Sequence, residues 1–287
     1  MKKTLIALAV AASAVVSGSV MAADWVEGGN GGDVNFGGEI TAQNNVAWMW
    51  LLGEGKTDFA NTTLQMTEGG KKLAITAEKD IPILAGKLKH GIKGEYLRQA
   101  GTMPQITFLS AGSPVTPEYA TNGAMSLTIK TFDNASSEEL GTLKINGRSA
   151  GSVAYVSDDQ YFTAGLATQG RGGVMSGGLS DTNSNLVWTG TDSSTVVTKF
   201  GGPTLAELQQ QVKDVMQNPD AAFTDKNNIW SISREVETDM NVPAYGISYG
   251  YGVEQGSKLE ATFSNPVTST TVWKAPLTVS ISYNSVS

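Results

Sequence analysis

Residues able to act as acid, base or nucleophile are few in this chain and poorly spaced for catalysis. His90 is the only histidine, and there is no cysteine among 287 residues. A Ser-His-Asp triad would therefore have to use a histidine set in the lysine-rich segment Lys87 to Lys93. His90 reads instead as an ordinary surface residue. The absence of thiols removes cysteine catalysis, disulfides and cysteine metal sites together, and the ligand set of a zinc site is missing. No metal and no other cofactor is expected. Two carboxylate pairs, Glu138-Glu139 and Asp158-Asp159, carry the groups a glycoside hydrolase needs. Adjacent residues of a strand point to opposite faces, so these pairs read as solvated loop charges. The run Gly250-Tyr251-Gly252-Val253-Glu254-Gln255-Gly256 has the glycine content of a phosphate loop but the wrong spacing, and a strand follows it. The chain is not expected to be an enzyme.

Chemistry of recognition is better supplied. Sugar binding needs aromatic faces to stack on a ring and polar groups to fix its hydroxyls. Tyr161, Phe162, Arg171 and Trp188 are candidate receptor contacts, with Trp230, Asp181, Asn183 and Asn185 nearby in sequence. Trp48, Trp50 and Trp273 sit in framework strands and are expected in the core.

The two ends of the chain suggest strand exchange. Val34, Phe36, Gly38 and Ile40 alternate on one face after the Gly-rich tether Gly28 to Gly32. A terminus is frayed unless something ties it down, so such an arm makes sense as a strand offered to a neighbour. Gly38 on the apolar face would suit a place where the recipient closes onto the backbone. The alternative is a first strand pairing within its own domain. At the other end Leu277, Val279, Ile281 and Tyr283 alternate after Pro276 and would form one wall of an open groove. Strand addition would fill that groove with main-chain hydrogen bonds and side-chain pockets. Burying Val34, Phe36 and Ile40 at about 1.5–3 kcal/mol each gives about 5–9 kcal/mol before entropy, comparable to a domain's net stability.

These ends are held by strands of period two. Leu73, Ile75, Ala77; Met125, Leu127, Ile129; Leu143, Ile145; Tyr245, Ile247, Tyr249; and Leu259, Ala261, Phe263 each mark one half-buried face. Turn residues punctuate them at Gly69-Gly70, Asn122-Gly123, Asn146-Gly147 and Asn265-Pro266. Short strands with frequent turns predict an all-β antiparallel sandwich. One stretch departs from the alternation. Leu205, Leu208, Val212, Val215 and Met216 recur at helical spacing, with Thr204 and Glu207 placed for a capping box and Asn218-Pro219 as the stop. This predicts a single helix covering a sheet edge or sandwich end, inside an insertion from about 157 to 232.

Lys2, Lys3 and the apolar run Leu5 to Val16 read as a secretory signal at 1–22, cleaved after Ala22. Its loss takes the formal charge from −7 to −9. Dispersed acidic charge argues against nucleic acid or an anionic membrane as partner. The predicted layout is then a donor extension at 23–42 and one domain at 43–287. An outer-membrane barrel would share the export, the glycine and the alternation, but aromatic girdles are not evident.

The chain resembles the K eighty-eight-type fimbrial major subunits and adhesins, cysteine-free chaperone/usher fimbriae of enterotoxigenic enteric bacteria. The similar residues are Met1 to Ala11, Gly37 to Thr41, Leu73-x-Ile75-Thr76, Pro82-Ile83-Leu84-x-Gly86 and Pro104-Gln105-Ile106. A C-terminal block adds Gly252-Val253, Gly256, Leu259 to Phe263, Val267-Thr268, Trp273 and Ala275-Pro276-Leu277. The resemblance implies an immunoglobulin-like sandwich lacking its final strand, completed by donor-strand exchange and carrying an inserted loop/helix adhesive subdomain. It implies a homopolymer, a periplasmic chaperone, an outer-membrane usher and a host glycoconjugate receptor bound through an insertion, hence a lectin with a role in virulence. A purely structural shaft subunit is the alternative. Two departures stand out: Tyr283 is followed by Asn284-Ser285-Val286-Ser287 where the family places a tyrosine next to last, and the stretch from about 157 to 232 does not match well.

Overall fold

The structure, a computed structural model, describes residues 26–27, 31–34, 47–56, 58–94, 101–167, 174–231 and 244–283. The expected signal segment and the residues after Tyr283 lie outside the described residues. Strand order begins with β1 (Val26–Glu27), β2 (Gly31–Val34), β3 (Trp48–Leu52), β4 (Lys72–Thr76) and β5 (Ile81–Leu88). It continues through β6 (Pro104–Ser110), β7 (Ser113–Val115), β8 (Glu118–Tyr119), β9 (Ala124–Asp133), β10 (Glu139–Ser157) and β11 (Gln160–Ala167). Two helices follow, α1 (Gly190–Lys199) and α2 (Leu205–Met216). The chain then forms β12 (Phe223–Ser231), β13 (Tyr245–Val253), β14 (Lys258–Phe263), β15 (Trp273–Lys274) and β16 (Leu277–Tyr283).

The fold is an all-β, immunoglobulin-like sandwich, and its sheets do not close into a barrel. One sheet has the edge-to-edge path β1-β3-β5-β13-β10-β11-β12; the other is β2-β16-β6-β7. β10 ties the large sheet together because its two halves take different neighbours. Glu139 to Arg148 pairs with β9, and Gly141 to Ile145 also with β14. Arg148 to Tyr155 pairs with β13, and Ser152 to Ser157 pairs with β11. The turn expected at Asn146-Gly147 is therefore not formed, since both residues lie inside β10. A Cβ on Gly147 would come 2.5 Å from the Gly252 carbonyl oxygen, so this glycine marks a close backbone approach and not a turn. Asn122-Gly123 does turn, with φ of 57° and 77°. Asp158-Asp159, at φ 49° and 58°, forms the two-residue hairpin between β10 and β11.

The interior is where the alternating residues meet. Phe108 of β6 packs edge-on against Tyr251 of β13 at 5.6 Å, and Leu277, Val279 and Ile281 of β16 are buried in the same cluster. Trp48 and Trp50 stack at 5.3 Å within it, as expected, while Trp273 is half-buried.

The helical region differs from the expected single helix. α2 is capped as the sequence predicts: the Glu207 amide donates to Thr204 Oγ1 at 3.3 Å, and the Thr204 amide donates to Glu207 Oε2 at 2.7 Å. A second helix, α1, precedes it. Its sequence, Gly-Thr-Asp-Ser-Ser-Thr-Val-Val-Thr-Lys, carries no apolar stripe, and its buried residues are Gly190, Ser193, Ser194, Val196 and Val197. Nor does α2 cover an edge or an end. Leu208 and Val212 pack on Ala154, Val156 and Ala244, while Val196, Val197 and Phe200 pack on Ala150, so both helices lie on the outer face of β10 and β13. β13 is thus buried on both sides. Its tyrosines face the sandwich interior, and Gly246, Gly250 and Gly252 face the helices. A Cβ at Gly250 would sit 2.9 Å from Val197 Cα, so only a bare backbone admits α1 this closely.

Candidate functional site

The C-terminal strand β16 forms because Leu277, Val279 and Ile281 alternate with Thr278, Ser280 and Ser282. All three apolar residues are buried, fixing the register against β6 from Thr278↔Leu109 to Tyr283↔Pro104. The opposite edge of β16 is where an added strand would pair. There Gly31–Val34 of the same chain lies antiparallel, with Leu277↔Val34, Val279↔Gly32 and Ser280↔Gly31. A little upstream, Val26 and Glu27 pair with Trp50 and Met49 on the outer edge of β3. The N-terminal segment therefore pairs within its own chain, β2 on β16 of one sheet and β1 on β3 of the other, along the seam between the two sheets, as the alternative of a first strand pairing within its own domain expects.

That seam is braced by side chains. The Trp50 indole N–H donates to Tyr283 Oη at 2.7 Å, joining β3 of one sheet to β16 of the other. The Trp48 indole donates to the Thr102 carbonyl at 2.7 Å. Trp50 fits because its partner across the ladder is Gly86, where a Cβ would come 2.4 Å from the indole ring. Of the predicted donor residues, Val34 ends β2, whereas Phe36, Gly38 and Ile40 lie outside the described residues. The predicted acceptor residues Leu277, Val279, Ile281 and Tyr283 all belong to β16.

The segment from 157 to 232 is not only loop and helix. β11 continues the large sheet beside β10, and β12 runs parallel to β11. The predicted receptor residues separate here. Phe162 is buried against Tyr155 at 5.5 Å, with the Lys226 ammonium 3.9 Å over its ring. Tyr161 is half-buried edge-on to Phe223, and its hydroxyl accepts from Asn218 Nδ2 at 3.1 Å. Trp188 is 47% exposed. Arg171 lies outside the described residues, and Trp230 pairs with Leu166 in the β11–β12 ladder. Asp181, Asn183 and Asn185 are neighbours of Trp188 in sequence; Asn183 and Asn185 belong to one short turn, where the Asn185 carbonyl accepts from the Gly123 amide at 2.7 Å.

A residue that sequence reasoning missed holds this segment together. Asp225 Oδ1 accepts from the Gly190 amide at 2.8 Å and from Thr163 Oγ1 at 2.9 Å. Its Oδ2 accepts from the Thr191 amide at 3.0 Å and from Thr191 Oγ1 at 2.5 Å. One carboxylate thus joins β12, β11 and the first turn of α1, where unsatisfied amides and the helix dipole favour negative charge. Burial alone would raise its pKa. The hydrogen bonds from Thr191, Gly190 and Thr163 outweigh that and hold it below the usual carboxylate value. The glycines at 246, 250 and 252 were the available signal that something packs on the back of β13. No sequence signal ties Asp225 to a helix 35 residues away.

Among the described residues no group of three or more histidine, cysteine or acidic side chains converges as a metal site, and no helix is long and apolar enough to cross a membrane. His90 is exposed. Comparison with known proteins matches residues 1–284 to the family described as "Fimbrial, major and minor subunit". The chain is 37% identical over 289 residues to the "F41 fimbrial protein" of Escherichia coli, covering 99% of this chain and 100% of that one. It is 32% identical over 293 residues to the "K88 fimbrial protein AB" of Escherichia coli, with the same coverage of each.

Proposed function

Because the chain belongs to the family of fimbrial major and minor subunits, we propose that it polymerises at the cell surface by donor-strand exchange. In this reading the arm at 23–42 of one subunit enters the seam beside β16 of the next. A periplasmic chaperone occupies the seam first, and an outer-membrane usher directs the handover. The observation that supports it is the antiparallel seating of Gly31–Val34 on the edge of β16 away from β6, which shows that this edge takes a strand from the N-terminal arm. Pairing within the chain uses Gly31, Gly32 and Asp33 for three of its four positions, residue types with little apolar surface to bury. An arm arriving from a neighbour is free of the short link to β3 and can slide to bring Phe36 and Ile40 into the groove as well. That adds about 3–6 kcal/mol of apolar burial, enough to drive exchange toward the polymer. Phe36→Asp is expected to leave chaperone capture intact and to stop filament growth, because it would bury an unpaired charge in the next subunit. Normal fimbriae on cells expressing only this variant would refute donor-strand exchange.

A second role, adhesion to host carbohydrate, is supported by Trp188, an aromatic face 47% exposed on the insertion. Trp188→Ala, alone and with Tyr161→Ala, is expected to abolish glycan-array binding by filaments that still assemble. Unchanged binding would move the receptor site elsewhere, and no binding by the unaltered filament would leave a purely structural subunit.

A further inference from the structure

Leu64, Val272 and Trp188 are the large apolar side chains left exposed among the described residues, the first two at 94% and 63%. Single exposed apolar groups are ordinary, but Leu64 and Val272 share one end of the sandwich, the end where β16 begins. Val272 precedes Trp273 of β15, and Leu64 lies between Thr63 and Met66, which line one cleft with Thr271 and Trp273. Beside them is the turn 134–138, whose Asn134 amide donates to the Val272 carbonyl at 2.9 Å and whose Glu138 is exposed. The head of β3 belongs to the other end, since Trp50 bonds to Tyr283, the last residue of β16. There the Ala47 carbonyl accepts from the Lys89 amide at 2.8 Å, and His90 and Lys93, just beyond in the chain, are exposed.

The direction of the arm decides what meets the Leu64 end. β2 runs antiparallel to β16, so its numbers rise toward the start of β16, from Gly31↔Ser280 to Val34↔Leu277. An arm seated this way in a neighbour leaves it at the Leu64 end. It then has only residues 35–46, at most about 45 Å of chain, in which to reach Ala47 of its own subunit. We propose that the Leu64 end is a docking face for a second copy of this chain, the one that donates the arm, whose segment from His90 to Lys93 seats against it. The inference rests on the strand-exchange reading given above and adds to it a contact between subunit bodies. So short a tether holds the two ends at high effective concentration, and a small contact then suffices. Exposed Glu138 on one end and exposed Lys93 on the other supply opposite charges to that contact. A docked body fixes the angle between successive subunits, which a flexible tether alone leaves free.

The chain has no cysteine, so introduced thiols report the contact without background. Full-length filaments carrying Leu64→Cys together with His90→Cys or Lys93→Cys would be treated with a short bismaleimide and run on a denaturing gel. A covalent ladder of dimers, trimers and longer species is expected from the paired variants and none from Leu64→Cys alone, because unlike ends meet in a head-to-tail polymer. Adding Val272→Asp should thin the ladder, and Leu64→Asp with Val272→Asp should give filaments that bend more sharply in electron micrographs. Both side chains are exposed, so neither change disturbs the subunit's core. No ladder from either pair, while Phe36→Asp still blocks growth, overturns the docking face and keeps strand exchange. Dimers from Leu64→Cys alone overturn it as well, since like ends would then meet. Normal fimbriae from Phe36→Asp overturn both readings.

Discussion

Asp225 offers the sharpest test of how α1 is held to the sheet. Asp225→Ala removes four hydrogen bonds and leaves the Gly190 and Thr191 amides at the first turn of α1 without their partner. A hydrogen bond to a charged group contributes about 1.5–3 kcal/mol, but the four share one carboxylate and are not additive. Asp225 is also largely exposed to solvent, which screens its charge and admits water to the freed amides. The net loss should be about 2 kcal/mol, or ~4–8 °C in melting temperature for a domain of this size. Asn, which keeps one acceptor oxygen, should lose roughly half of that. The pH dependence follows from the lowered carboxyl pKa. Between the folded pKa and the ordinary value, about 3.9, the unfolded chain binds more protons, so stability rises with pH there. The contribution is complete above that window and disappears as pH falls through the folded value. Hydrogen exchange at the α1 amides and calorimetry of purified filaments, at pH 7 and at about pH 2.5, read both effects. Faster α1 exchange at pH 7 that converges with the parent protein at low pH is expected. Equal exchange at pH 7, or a difference that grows on acidification, would refute the clamp.

Three further outcomes follow from the same geometry. Gly250→Val places a side chain where a Cβ is already 2.9 Å from Val197 Cα, so α1 should lift from β13 at a cost of about 1–3 kcal/mol, seen as faster proteolysis between β11 and β12. Tyr283→Phe removes the acceptor of the buried Trp50 indole and should lower filament stability by about 1–3 kcal/mol, measured as a denaturant midpoint; an unshifted midpoint would argue against a brace across the seam. Deleting residues 23–42 should give a subunit soluble only with its chaperone, and appending Asp33 to Thr41 after Ser287 through a flexible linker should restore a stable monomer. A cooperative, high-temperature melt of the truncated chain alone would contradict the need for an added strand.

Residues 157–232 hold elements with local signals beside elements without any. α2 was legible because both its signals are local: the Thr204–Glu207 capping box and an apolar stripe at helical spacing. α1 was not, since serine, threonine and glycine bury it by closeness of approach and not by apolar area. Asn146-Gly147 has the composition of a turn, yet the chain runs straight through it, because the Gly252 backbone lies where a side chain would go. Phe162 and Trp188 are both large aromatics between 157 and 232, and only the packing of β11 on β10 and β12 separates the buried one from the exposed one.

Sequence alone determined that the protein is all-β and where most of its strands lie. Period-two burial repeats within each strand, and the turn residues lie between them, so both can be read within a few positions. It also determined which residues of β16 face inward, since Leu277, Val279 and Ile281 admit only one buried face. Only the tertiary structure decided which strands lie at the edges, which strand Gly31–Val34 meets, and that β10 serves two sets of neighbours. Those outcomes depend on pairings between residues far apart in the chain, as with Val34 and Leu277. The backbone groups that make such pairings are the same in every residue but proline, so the choice among partners comes from packing of the whole molecule.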